Sequence, residues 1–171
     1  MYYRLFSQQL VTKHNFYRNK HGVAPLKPSS ELEKSAQIWA QQLANEAICL
    51  EHDPSKRFGE NLFYYATDLL PDEKTMAHMT VQSFYLEARG YNYKTHHHLD
   101  YHKAGHFTQL VWKSTTHLGI GVTMRSFDGH RTNSCHPNFP STMIYVVVKY
   151  DPPGNILSLE HYSANVLPPM Q

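Results

Sequence analysis

Apolar residues recur along this chain with two periods. Near the N-terminus Leu10, His14 and Tyr17 fall four and three apart, the stripe of a helix over residues 7–20. Lys20-His21-Gly22-Val23 stops it at the glycine, and Pro25 and Pro28 keep the next segment extended. Leu32, Ala36, Trp39, Leu43 and Ala47 draw a second helical face. Ser30 opens it with Glu33 three residues on, the pattern of a capping box. Residues 51–60 are polar and turn-like, and the aromatic run 61–66 predicts a short strand. Asp72 predicts the cap of a third helix. Its stripe is Met76, Thr80 and Phe84, and continuing by three and by four it reaches Glu87 and Tyr91; Gly90 and Asn92 end it. Residues 94–105 read as a histidine-rich loop, and Phe107, Leu110 and Val111 as a short helix with His106 at its N-terminal end. Residues 118–122 and 143–148 are β-branched strand runs. The second is apolar on both faces, as a central strand would be, and Asp151-Pro152-Pro153-Gly154-Asn155 stops it. This order predicts an α/β (α+β) fold, a small sheet covered by helices on both sides.

The exceptions to the pattern carry the candidate chemistry. Glu87 puts a carboxylate on the buried-side face of its helix, and such conflicts between local pattern and fold concentrate at functional sites. His52 and His106, far apart in sequence, are suitable ligands for zinc or another divalent metal. Glu60 and Glu87 are placed to complete a shell, orient the imidazoles or act on a bound water. Two imidazoles alone make an open site, suited to an exchangeable ion. The competing reading is a His–Glu hydrogen-bond network that ties helix ends to the sheet and needs no ligand. His96-His97-His98 with His102 reads as a solvated loop rather than a metal tract. Tyr64, Tyr65, Tyr91, Tyr93 and Tyr101 are candidates to line a lipid or sterol groove, although aromatics at this density more often serve packing.

Composition narrows the function. A chain of 171 residues suits one domain, 1–171. The net charge of +2 is too small to argue for nucleic acid. The 13 histidines make charge depend on pH between about 5 and 8, so an anionic membrane surface would be held better in mild acid. Two cysteines, Cys49 and Cys135, are too few for a disulfide framework and point to a reducing compartment, with their pairing undecided. No signal peptide and no apolar run of roughly 20 residues is visible. Residue 2 is Tyr, not the glycine that N-myristoylation requires. The expectation is a cytoplasmic or peripheral-membrane protein, with unconventional export as the alternative. Serine-nucleophile elbow, His-Glu-x-x-His, phosphate loop and dinucleotide glycine pattern are all missing, and neither cysteine has a nucleophile's surroundings.

The run Gly105-His106-Phe107-Thr108-Gln109-Leu110-Val111-Trp112-Lys113-Ser114-Thr115 resembles the first signature of the CAP superfamily. That superfamily unites cysteine-rich secretory proteins, antigen 5 venom allergens, pathogenesis-related proteins and helminth venom-allergen-like proteins. Gly59-Glu60-Asn61-Leu62, Phe84-Tyr85-Leu86-Glu87 with Tyr91-Asn92-Tyr93, and Tyr150-Asp151-Pro152-Pro153-Gly154-Asn155 resemble its other motifs in order. Phe84 stands where the usual residue is Trp. His14-Asn15-Phe16-Tyr17-Arg18 resembles its opening helix, so the likeness spans roughly residues 7–168. Residues 20–27 and 165–169 are similar to the Golgi-associated pathogenesis-related branch, which lacks the secretory disulfides; Val148 stands where secreted members carry Cys.

The resemblance implies a three-layer α–β–α sandwich with a central cleft. The family's tetrad falls on His52, Glu60, Glu87 and His106, the histidines binding zinc or another divalent metal. It implies no general catalytic activity, and in relatives binding of sterols, fatty acids or anionic lipids, and homodimers. The expectation is a non-enzymatic binding protein. The alternatives are a metal-dependent hydrolase with Glu60 or Glu87 as general base, and a dimerising interaction module for which the tetrad is scaffolding. Residues 125–140 form a longer segment than in that branch, and no role carries over to them.

Overall fold

Strand β4 (Ser141–Asp151) explains the layering. Ile144, Val146, Val148 and Tyr150 face one hydrophobic core, and Met143, Tyr145 and Val147 face another. Successive side chains of a strand alternate between faces, so a strand apolar on both needs cover on both. Helix α2 (Ser30–Glu46) covers one face with Ala36, Trp39, Ala40 and Leu43. Helices α1 (Tyr3–Lys20), α3 (Glu73–Leu86) and α4 (Tyr101–Val111) cover the other. The short α5 (Leu159–Asn165) joins that side through Tyr162, edge-on to buried Trp112. The sheet order is β1 (Lys27–Pro28), β3 (His117–Phe127), β4, β2 (Gly59–Thr67); β1 runs parallel to β3 and the other pairs are antiparallel. The architecture is the expected mixed α/β fold, a three-layer α–β–α sandwich. It is drawn from a computed structural model that describes residues 1–47, 49–97 and 101–171, and of Tyr101 and His102 the backbone only.

The predicted elements are present with corrected bounds. Helix α1 starts at Tyr3, because Phe6 extends the buried stripe one turn back. It ends as its sequence suggests. Gly22 takes φ +64°, its amide donates to Asn19 O, and the Val23 amide donates to Arg18 O, a Schellman close. The cap of α2 is Ser29, not Ser30: its Oγ accepts from the Leu32 amide at 3.4 Å. Glu33 lies against Tyr3 rather than closing a box. Two adjacent serines both fit a cap, and the pattern alone picks between them poorly. Asp72 caps α3 as predicted, accepting from the Thr75 amide at 2.8 Å. That helix stops at Leu86, so Glu87 is its C-terminal cap residue.

Residues 101–104, read as loop, are helical and join the His106 turn across a kink at Ala104 (φ −134°). A polar stretch rich in histidine gives no apolar period to detect. His96 is buried, with Tyr91 Oη 2.9 Å from its Nδ1, so the solvated-loop reading fails there; His97 is exposed. His98 and the side chains of Tyr101 and His102 lie outside the described residues. The two-residue β1 and the seven-residue α5 are too short to show a period, and the sequence pattern does not predict them. Among the described residues no helix is long and apolar enough to cross a membrane.

Candidate functional site

Each histidine of the tetrad is held by a glutamate, and the two halves are built differently. On the His106 half, Glu87 Oε1 accepts from His106 Nδ1 at 2.7 Å. Its Oε2 accepts from the backbone amides of His106 (2.9 Å) and Phe107 (3.2 Å). These amides are free because the helix restarts after the Ala104 kink, and a carboxylate satisfies both their hydrogen bonds and the local positive dipole. The His106 ring lies flat on Phe84, 5.3 Å between centroids and 4° between planes. Asn61 donates to His106 O (2.9 Å) and to Tyr150 Oη (3.2 Å). Tyr150 Oη donates to His14 Nε2 (2.7 Å), and His14 Nδ1 donates to Leu10 O (2.8 Å). This chain of hydrogen bonds is buried. Burial pushes His14 down to about 4 and the Tyr150 hydroxyl far up, so both stay neutral. At the other end of α4, buried Arg18 donates to Leu110 O, Trp112 O and Thr115 O at 2.9–3.1 Å and to Ala24 O at 2.7 Å.

On the His52 half there is no helix. His52 sits between α2 and β2, in a segment without regular secondary structure. Glu60, on β2, accepts from His52 Nδ1 at 2.6 Å and from the Asp53 amide at 3.1 Å, both through Oε1. Beneath lies Lys149 of β4, its side chain 2% exposed. Its Nζ donates to Asp53 Oδ2 and stands 3.6 Å from Glu60 Oε2. Burial pushes the Asp53 carboxyl up, but Lys149 and Ser55 together hold it below the usual carboxylate range. The segment is pinned further by Trp39 Nε1 donating to Glu51 O (2.8 Å) and by a disulfide between Cys49 and Cys135, Cα atoms 5.2 Å apart. The cysteine count alone leaves that pairing undecided and points to a reducing compartment; persistent bridges are a habit of oxidising ones.

Both imidazoles therefore donate Nδ1–H to a carboxylate, and the neutral ring keeps its lone pair on Nε2. The His52 and His106 side chains are 62% and 40% exposed. A cavity of about 390 Å³ opens beside His52 and Glu60, lined also by Gln109, Lys149, Gly154 and Asn155. Gln109 bolts three segments together. Its Oε1 accepts from the Gly154 amide (2.9 Å), its Nε2 donates to Thr115 Oγ1 (3.2 Å), and a Cβ at Gly59 or Gly154 would collide with it. Asn155 similarly donates to Gly105 O and accepts from Thr108 Oγ1, which places the turn after β4 against the His106 turn. Three of the recognisable sequence motifs thus contribute to this cavity, through Gly59 and Glu60, Gln109, and Pro153 to Asn155, while His106 and Glu87 are not among its lining residues.

The structure assembles the sequence-predicted residues as two His–Glu pairs. Among the described residues no three His, Cys, Asp or Glu side chains converge to form a ready-made metal cage. Both glutamates already accept hydrogen bonds from backbone amides, as the His–Glu network reading expects. Asp53 and Lys149 are site residues that the sequence pattern does not single out. A lysine next to the apolar run of a central strand is the available signal, since such a position is buried and demands a partner. Among the described residues, Tyr64, Tyr65, Tyr91 and Tyr93 do not form one groove, and the Tyr101 side chain lies outside them. Tyr64 packs on Tyr145, Tyr65 on Phe63, and Tyr91 and Tyr93 on Phe107.

Comparison with known proteins agrees with the fold. The chain is 33% identical over 167 residues to the Golgi-associated plant pathogenesis-related protein 1 of Homo sapiens, covering 96% of this chain and 94% of that one. It is 29% identical over 155 residues to the pathogenesis-related protein PRMS of Zea mays, covering 91% and 81%. Among solved structures, NaASP2 with Zn2+ superposes with a TM-score of 0.67 at 23% identity, covering 96% of this chain and 85% of that one. BmVAL-1 superposes with a TM-score of 0.66 at 22% identity, covering 90% and 80%. The family model for the cysteine-rich secretory proteins, CAP, matches residues 11–150, and the chain belongs to that family.

Proposed function

We propose that this protein is a non-enzymatic binding protein whose cleft takes a divalent metal, zinc by preference, through Nε2 of His52 and His106. The observation that carries this is the matched use of Nδ1. Each ring is oriented by a carboxylate on that nitrogen, the arrangement that steers metal-ligating histidines elsewhere, and each side chain remains partly exposed. Two nitrogen donors make an open, exchangeable site. Zinc supplies Lewis acidity where it binds, but Glu60 and Glu87 are committed to holding the histidines and backbone amides. They serve orientation rather than proton transfer, which disfavours the hydrolase alternative. The measurement is zinc calorimetry at neutral pH on wild type and on His52→Ala/His106→Ala. The expected result is one weak site in wild type and none in the variant; identical isotherms would sink the reading.

We also propose that a lipid or sterol is taken at a shallow cavity of about 640 Å³ where Tyr3 meets α2, flanked by half-buried Val122 and by Ile38, which is 61% exposed. Labelled cholesterol, a fatty acid and anionic vesicles across pH 5–8 test it, and failure of all three removes it. The disulfide favours the extracellular alternative for where the protein works.

A further inference from the structure

The chemistry of the His52 half is incomplete without Lys149. Asp53 and Glu60 put two carboxylates side by side at a cavity, which is what oxygen-seeking divalent ions such as calcium, magnesium and manganese look for. Yet an ammonium already stands between them. Lys149 Nζ is bonded to Asp53 Oδ2 and lies 3.6 Å from Glu60 Oε2, and the Lys149 and Glu60 side chains are only 2% and 7% exposed. Glu60 Oε2 is buried and, among the described residues, accepts no hydrogen bond, so the lysine charge is what compensates it. Glu60 Oε1 is spent on His52 Nδ1 and the Asp53 amide.

We propose that Lys149 is a specificity-determining residue, a tethered cation that fills the Asp53–Glu60 carboxylate pair. It thereby denies the cleft to oxygen-seeking divalent ions and leaves only the imidazole nitrogens to select a metal. A compact ammonium suits this role, being a point charge with three donors. Its position on β4, paired with β2 at Glu60↔Lys149, is fixed by the sheet register. This deepens the metal reading of the same cleft and rests on it for the choice of nitrogen-seeking ions. The carboxylate pair itself is independent of zinc.

The test is manganese and calcium binding by wild type, Asp53→Asn, Lys149→Met, and Lys149→Met combined with Asp53→Asn, read by manganese paramagnetic resonance and calcium calorimetry. Wild type is expected to bind neither ion in the cleft. Lys149→Met is expected to gain one site, with affinity raised at least about tenfold, because affinity for such ions follows carboxylate count and uncompensated charge. The double variant is expected to lose that gain. A folded Lys149→Met with no gain overturns the proposal, and so does a wild-type site for either ion that Asp53→Asn abolishes. Should Lys149→Met unfold, millimolar calcium or manganese is expected to restore its circular dichroism where buffer free of divalent ions does not; no rescue also overturns it. Zinc is titrated separately. Absence of zinc binding by wild type would sink the metal reading and leave the manganese result on Lys149→Met to stand alone.

Discussion

The two halves of the cleft place the same pair of side chains by opposite means. His106 rides on a helical turn that restarts after the Ala104 kink, its first amides bound by the very glutamate that orients its ring, and Arg18 binds Leu110 O and Trp112 O at its far end. Its position follows from regular structure and a flat contact with Phe84. His52 sits on irregular chain, and what fixes it is an ion cluster, one tryptophan hydrogen bond and the Cys49–Cys135 disulfide just upstream. One half is held by secondary structure and the other by cross-links. Perturbations that spare secondary structure should therefore act on His52 first.

The largest expected effect is at the cross-link. Replacing Cys49 and Cys135 by serine frees a loop with a sequence separation of 86, worth about 4.6 kcal/mol in the chain-entropy picture. The melting temperature should fall, and hydrogen exchange should rise in residues 49–58 while the His106 turn keeps its protection. Equal loosening of both halves would break the comparison. Thiol titration of the unreduced protein should find no free cysteine.

Next comes acid. An unfolded histidine takes a proton near pH 6.5, whereas buried His14 resists until about 4. The unfolded state thus binds more protons between those values, and stability present above pH 6.5 is lost as pH falls toward 4. This group alone contributes roughly 3 kcal/mol of that loss. Urea midpoints at pH 7 and pH 4.5 should show the slope, and His14→Gln should flatten it. Because His14 reaches His106 O through Tyr150 and Asn61, this lever works beneath the helical half.

The smallest expected effect is the most discriminating. Glu87 uses both oxygens as acceptors, and a glutamine can present only one, so Glu87→Gln should cost about 2 kcal/mol. Glu60 places both its hydrogen bonds on Oε1, so Glu60→Gln can keep them, and its cost of about 1 kcal/mol comes from setting a neutral amide in place of Oε2 against Lys149. Chemical denaturation of the two variants measures the difference; equal costs would mean that the two glutamates hold their histidines in the same way.

Much of this was legible in the residues, for a physical reason. Amphipathic stripes such as Leu32–Ala36–Trp39–Leu43 and the two-faced β4 arise from burial, which writes itself into sequence as a period. Glu87 betrayed itself by breaking such a period. The four site residues could be named because their motifs stand in order, but their division into two pairs could not, since it depends on which oxygen faces which nitrogen. Lys149 and Asp53 are 96 residues apart and meet only through the pairing of β2 with β4. Neither residue alone signals the other.

Strand β4 has one more consequence, for how length can change during descent. Removing a single residue between Met143 and Tyr150 would exchange the clients of its two faces. Lys149 would be carried in among Phe6 and Phe107, and Tyr150 out toward Trp39. The strand is therefore locked in length and can drift only by substitution, while residues 128–140, between the strands, can change length only where Asn133, Cys135 and His136 keep their contacts with Ala47, Cys49 and Phe127.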